Sequence, residues 1–153
     1  MRFSTNTELT DITAALMACT LPKPKWTHAA HFTAAIVMLS NPDADPFSSL
    51  PDIIRNYNLA TGVQNTDTEG YHHTITLASL LAARHVLETS PISMRIFEIA
   101  NKLLDSEYGS SDWILKYWTK PVLFSPKARR VWVAPDIEPL PFSLSEAFRP
   151  KTQ

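Results

Sequence analysis

Four of the five histidines in this chain fall in two close pairs, and imidazole side chains can transfer protons or bind metal ions. The first pair is His28 and His31, and the second is His72 and His73. Each pair lies at the start of a predicted helix. Side chains three residues apart lie on one face of a helix, so His28 and His31 are predicted to project together. The two pairs therefore indicate a candidate site for acid–base catalysis or metal binding.

Small residues follow both pairs along the predicted helices. Ala35 shares the helical face of His28 and His31, and Ser79 shares the face of His72. Small side chains permit either a close approach of two helices or a cavity between them. We expect His28, His31 and His72 to flank a cavity that binds a small molecule, with one of these histidines acting as general acid or base.

The same three histidines, His28, His31 and His72, are the predicted ligands if a divalent metal such as zinc, iron or nickel is bound. A carboxylate from the polar stretch 64–70, or water, would be the fourth ligand. The positive end of a helix dipole disfavours imidazolium, so histidines at helix starts are predicted to be neutral. The residues expected to orient a histidine or bind the substrate lie beside the pairs: Trp26, Glu69, Tyr71 and Thr76.

A second interpretation assigns the histidines a structural role in a non-catalytic module that binds a ligand or a partner protein. It rests on the aromatic side chains of the C-terminal third: Trp113, Tyr117, Trp118 and Trp132. These aromatics are predicted to attach the C-terminal segment to the helices, although they can also form a pocket wall or dock a partner. The basic run at 127–130 can hold an anion, but pairing with Asp136 or Glu138 is favoured.

Helical periodicity and the placement of twelve prolines and three glycines predict the elements that position these residues. Thr5 with Glu8 has the spacing of a capping box, and Thr27 is a predicted N-cap. Five main helices are predicted at about 5–19, 27–40, 49–60, 71–89 and 91–108, with short helices at about 112–118 and 125–132. The predicted fold is all-α, a single domain over 1–153. Its helical body spans about 5–132, and an extended, proline-rich tail spans about 133–153.

Composition excludes several classes of function. The chain has 153 residues, with 14 Lys and Arg against 15 Asp and Glu, so no nucleic-acid partner is expected. Cys19 is the only cysteine, which excludes an intramolecular disulfide. Three glycines argue against the glycine-rich loops of nucleotide-binding folds, so no nucleotide cofactor is expected. With no apolar run long enough to span a bilayer and no signal-peptide pattern, no membrane association is expected and the predicted location is cytoplasmic.

Three motifs together resemble a family of small bacterial all-helical proteins. They are Trp26-Thr27-His28-x-x-His31, Tyr71-His72-x-Thr74-Ile75-Thr76, and Ser125-Pro126-x-Ala128-Arg129 with the later Pro135-Asp136. The similarity covers most of residues 26–140. The resemblance implies that His28, His31 and His72 act as one unit, but it implies no reaction, because no activity is attached to that family.

Overall fold

The computed structural model describes residues 2–142, and none of these residues forms a β-strand. The helices are α1 Asn6–Met17, α2 His28–Leu39, α3 Pro46–Ala60, α4 His73–Thr89, α5 Ile96–Asp105, α6 Lys120–Leu123 and α7 Pro126–Arg130. Three short 3₁₀ turns lie at Lys23–Lys25, Glu107–Gly109 and Ser111–Lys116. The predicted all-α class with five main helices is therefore confirmed. Residues 143–153, which include most of the predicted tail, lie outside the described residues.

The starts of α1 and α2 follow from local sequence. The Thr5 side chain accepts a hydrogen bond from the Glu8 amide, and the Glu8 carboxylate accepts one from the Thr5 amide. The Thr27 hydroxyl accepts a hydrogen bond from the amide of Ala30 at 3.2 Å. Each cap satisfies backbone donors that the first helical turn leaves unpaired. Both predicted caps are confirmed.

The starts of α3, α4 and α5 differ from the prediction. α3 begins at Pro46, so Pro51 lies inside the helix rather than in its first turn. α4 begins at His73, because His72 has extended backbone angles and caps the helix. α5 begins only at Ile96, where Glu98 accepts a hydrogen bond from the amide of Arg95. In each case the helix starts where a favourable first position or a cap is available, and not at the nearest serine–proline or tyrosine signal.

The core is built around α2, which packs against α1, α3, α4 and α5. Its Ala34 and Ala35 are fully buried, as are Ala78 and Ala82 of α4. These small side chains let the two helices approach closely along most of their length. The stripes of small residues therefore serve mainly for helix packing, and the cavity described below lies only at one end of this interface.

The aromatic cluster attaches the C-terminal segment to the helices. Trp118 donates a hydrogen bond from Nε1 to the carbonyl of Val133 at 2.9 Å, and the Ile137 amide donates to the carbonyl of Tyr117 at 3.0 Å. Trp113, Tyr117 and Trp118 are each at most 6% exposed. The predicted attachment is confirmed. Because these three side chains are buried, they offer little exposed surface to a partner protein.

The basic run of α7 also has partners other than those predicted. Asp136 accepts hydrogen bonds from the amide and the hydroxyl of Thr119, at 2.8 and 2.7 Å. Arg130 instead lies 3.4 Å from the carboxylate of Asp67.

Among the described residues, no helix is both long and apolar enough to cross a bilayer.

Candidate functional site

A cavity of about 310 Å³ opens beside the N-terminal ends of α2 and α4. The 3₁₀ turn Ser111–Lys116 and the end of α6 close its other sides. His28, His31 and Ser79 supply polar groups, and Trp113 and Leu123 supply much of the apolar wall. The exposed residues Asp112 and Phe124 stand at its rim. This volume lies at the lower end of the range for small-molecule sites.

His31 lines this cavity and has a buried ring nitrogen. Its Nε2 atom is inaccessible to solvent and has no hydrogen-bond partner among residues 2–142. The ring of Trp26 covers one face of the imidazole, with centroids 5.0 Å apart and planes 30° apart. Burial, with a smaller contribution from His28, lowers the pKa of His31 to about 4. The ring is therefore neutral at neutral pH, and its Nε2 is a buried polar atom without a partner among the described residues.

His28 is held by the backbone of another segment. Its Nε2 lies 2.7 Å from the carbonyl oxygen of Tyr108. A carbonyl can only accept a hydrogen bond, so Nε2 donates its proton to it. In the neutral ring this leaves Nδ1 as the nitrogen that can accept a proton. The edge contact with Phe32, with centroids 5.1 Å apart, further fixes the ring.

His72 lies behind the cavity wall rather than inside the cavity, which corrects the prediction that it joins His28 and His31. Its Nδ1 accepts a hydrogen bond from the amide of Ile75 at 3.2 Å, which makes the side chain the cap of α4. Its Nε2 donates to the carbonyl of Leu123 at 2.7 Å. Both ring nitrogens are thus occupied. His72 positions the wall at Leu123 and leaves no nitrogen for a ligand.

The geometry does not support the predicted three-histidine metal site. Within residues 2–142, no group of three or more His, Cys, Asp or Glu side chains lies close enough to hold a metal ion. The hydrogen bonds of His72 explain why, because they turn its ring towards Leu123. His28 and His31 remain as a pair.

The other predicted site residues divide between two sides of α4. Trp26 contacts the His31 ring but does not itself line the cavity. The Thr76 hydroxyl donates to the carbonyl of His72 at 2.8 Å, so it stabilises the helix start. Tyr71 faces a different cavity and shares a 2.7 Å hydrogen bond with Nδ1 of His73, and burial raises its pKa to about 12.

Glu69 is exposed in the loop before α4 and does not reach either histidine pair. Its amide donates to the Thr66 hydroxyl at 3.2 Å, and its carbonyl accepts from the Thr66 amide at 2.9 Å. These bonds involve the backbone of Glu69 only. The expectation that its carboxylate orients a histidine therefore has no support in the geometry.

Sequence reasoning missed part of the cavity wall. Asp112 and Phe124 line it from the C-terminal third of the chain, far from both histidine pairs in sequence. Trp113 was weighed as a pocket wall and does line the cavity. Nothing local to residues 112–124 shows which helix ends they cover. That information lies in the long-range hydrogen bonds of His28 to residue 108 and of His72 to residue 123.

Comparison with known proteins adds no identification. No protein-family model matches the chain, and neither the curated proteins nor the solved structures searched contain a match. The resemblance carried by the three motifs stays a prediction.

Proposed function

We propose that this protein binds a small, uncharged and largely apolar molecule in the cavity between His31 and Trp113, and that His28 transfers a proton to or from it. The observation that carries the proposal is that His31 lines the cavity and that its buried Nε2 lacks a partner among residues 2–142. A buried polar atom without a partner costs free energy, and a polar group of a ligand would remove that cost.

The walls define the class of ligand. Trp113, Ile114 and Leu123 are buried and apolar, so they favour an apolar or aromatic body. His31 is neutral and can form one hydrogen bond with an uncharged group such as a hydroxyl, carbonyl or amide. A charged ligand would lose its hydration beside this neutral ring without gaining an ion pair. The exposed carboxylate of Asp112 lies only at the rim.

The two histidines have different expected roles. General bases work best when their pKa lies near the working pH, and the pKa of about 4 makes His31 a weak base. His31 is therefore the binding group. His28 has its Nε2 proton fixed by the carbonyl of Tyr108, which orients the ring and directs proton acceptance to Nδ1. That arrangement suits proton abstraction next to a carbonyl group of the ligand.

Binding is tested by ligand-observed NMR with uncharged aromatic alcohols, amides and ketones as probes. We expect wild type and His85→Ala to bind the same probes, because His85 packs on Phe142 and does not line the cavity. His31→Phe should lose binding. Equal binding by wild type and folded His31→Phe would contradict the proposal.

Proton transfer is tested separately by the incorporation of solvent deuterium at the carbon next to the carbonyl of a bound ketone. We expect His28→Gln to keep the affinity for the ketone and to lose the exchange. Exchange that proceeds equally in His28→Gln would remove the catalytic role. The remaining function would then be the alternative, a non-catalytic ligand-binding module.

A further inference from the structure

A second cavity, of about 220 Å³, lies on the other side of the N-terminal end of α4. Three arginines from two helices line it, namely Arg55 of α3 and Arg129 and Arg130 of α7. The loop before α4 supplies Thr66 and Asp67. We propose that this cavity binds the phosphate group of a small molecule, at a site separate from the histidine cavity.

Arg129 is the central donor of this arginine cavity. One of its terminal nitrogens, Nη1, donates to the carbonyl of Gly70 at 3.1 Å, which anchors the guanidinium to the loop. Its Nε is buried and has no hydrogen-bond partner among residues 2–142. A guanidinium donor in this state is costly unless an acceptor meets it, and the acceptor that suits it best is an anionic oxygen.

Arg55 is held in a fixed plane on the opposite side. Its guanidinium carbon lies 4.2 Å from the centre of the Tyr71 ring, and Nη1 lies 3.0 Å from the carboxylate of the exposed Asp52. Stacking on an aromatic ring restricts the guanidinium and leaves its edge able to donate. A planar donor with this orientation suits a phosphate oxygen.

The loop between the two helices is fixed by its own hydrogen bonds. Asn65 accepts from the amide of Tyr71 at 3.0 Å and donates to the carbonyl of Arg55 at 3.1 Å, so one side chain joins the loop to α3. Gly70 has a φ of +80°, and a Cβ there would overlap the carbonyl oxygen of Gln64. The walls are therefore already in place before a ligand binds.

The number of acceptor oxygens favours a phosphate over a carboxylate. Three guanidinium groups line the cavity, and two carboxylates lie close to them: Asp67 lies 3.4 Å from Arg130, and Asp52 lies 3.0 Å from Arg55. One net positive charge therefore remains, which attracts either anion. A phosphate monoester offers three strong acceptor oxygens, so it can accept hydrogen bonds from more than one arginine at once. Asp67 opposes the anion, and its removal should strengthen binding.

The test uses inorganic phosphate as the probe, measured by ³¹P NMR line broadening at constant ionic strength with chloride. We expect Arg129→Gln to weaken phosphate binding by at least about tenfold, the loss of one charge-assisted hydrogen bond. Arg130→Gln should weaken it about threefold or more, and Asp67→Asn should strengthen it. Lys127→Gln is the matched control. This substitution removes one positive charge from α7, as Arg130→Gln does, but Lys127 does not line the cavity.

Two results would overturn the proposal. One is an equal loss of affinity in Lys127→Gln and Arg130→Gln, which would indicate attraction by net charge alone. The other is acetate binding as tightly as phosphate, which would show a general anion site without preference for phosphate. Arg130 is largely exposed, with 63% of its side chain accessible, so Arg130→Gln should remain folded even if Arg129→Gln does not.

Discussion

The low pKa of His31 makes the stability of the protein depend on pH in a way that a single substitution isolates. The pKa is about 4 in the folded protein, below the ordinary histidine value of 6.5. The unfolded chain therefore binds more protons than the folded one between these values, and the stabilising contribution is lost as the pH falls. From about pH 7.5 to about pH 5, the contribution of His31 to the free energy of unfolding should fall by about 2 kcal/mol.

His31→Gln removes this contribution, so the difference in unfolding free energy between wild type and His31→Gln should shrink by about 2 kcal/mol at the lower pH. Urea unfolding followed by tryptophan fluorescence measures both proteins at both pH values. Other titrating groups are common to the two proteins and cancel. Ser79→Ala is the control, because Ser79 lines the same cavity and does not titrate, so its effect should be the same at both pH values. If the difference in unfolding free energy between wild type and His31→Gln does not change with pH, the burial of a neutral His31 is refuted.

Three further substitutions test side-chain hydrogen bonds and a backbone turn that hold the fold together. His72→Ala removes the cap of α4 and the hydrogen bond to Leu123 in the cavity wall. Urea unfolding should therefore show a loss of about 2–3 kcal/mol in the free energy of unfolding. A loss under about 0.5 kcal/mol would contradict the assignment of His72 as a cap. Gly62→Ala should cost about 1 kcal/mol of unfolding free energy, and Gly70→Ala should cost more. Both glycines have a positive φ, but only at Gly70 would a Cβ overlap a carbonyl oxygen. Equal shifts in the melting temperature of the two variants would count against this geometry. The Asn101 side chain bonds to both the amide and the carbonyl of Phe3. Asn101→Ala should therefore lower the free energy of unfolding by about 1–3 kcal/mol and speed hydrogen exchange at the Phe3 amide. Unchanged exchange at that amide would contradict this role.

Local signals were enough to predict the starts of α1 and α2. The Thr5 and Glu8 pair and the Thr27 hydroxyl act within three residues, so the sequence contains the whole interaction. The predicted start of α5 was wrong because the Glu98 carboxylate accepts hydrogen bonds from the amide and the guanidinium of Arg95, and this cap competes with Ser90 and Pro91. His72 was not recognised as a cap, because histidine is not among the residues that usually fill that position.

The candidate site was predictable only in part, for a related reason. His28 and His31 share a helical face, and this follows from their spacing. The orientation of the His72 ring depends on the position of Leu123, because Nε2 bonds to the Leu123 carbonyl, 51 residues further along the chain. The neutral state of His31 was predicted from the helix dipole. The direction was right, but burial is the main cause, and burial depends on the tertiary packing.

The short segment from residue 71 to residue 75 lies between the two cavities and contributes a side chain to each. Tyr71 supports the arginine cavity by stacking under Arg55, while Ile75 lines the histidine cavity. Thr74 accepts from the amide of Val133 and donates to the carbonyl of Val131, so it holds the chain that leaves α7. A residue that both caps a helix and fixes a wall cannot also bind a metal. The two histidine pairs therefore differ in place: the pair on α2 lines a cavity, and the pair at the start of α4 builds the framework between the two cavities.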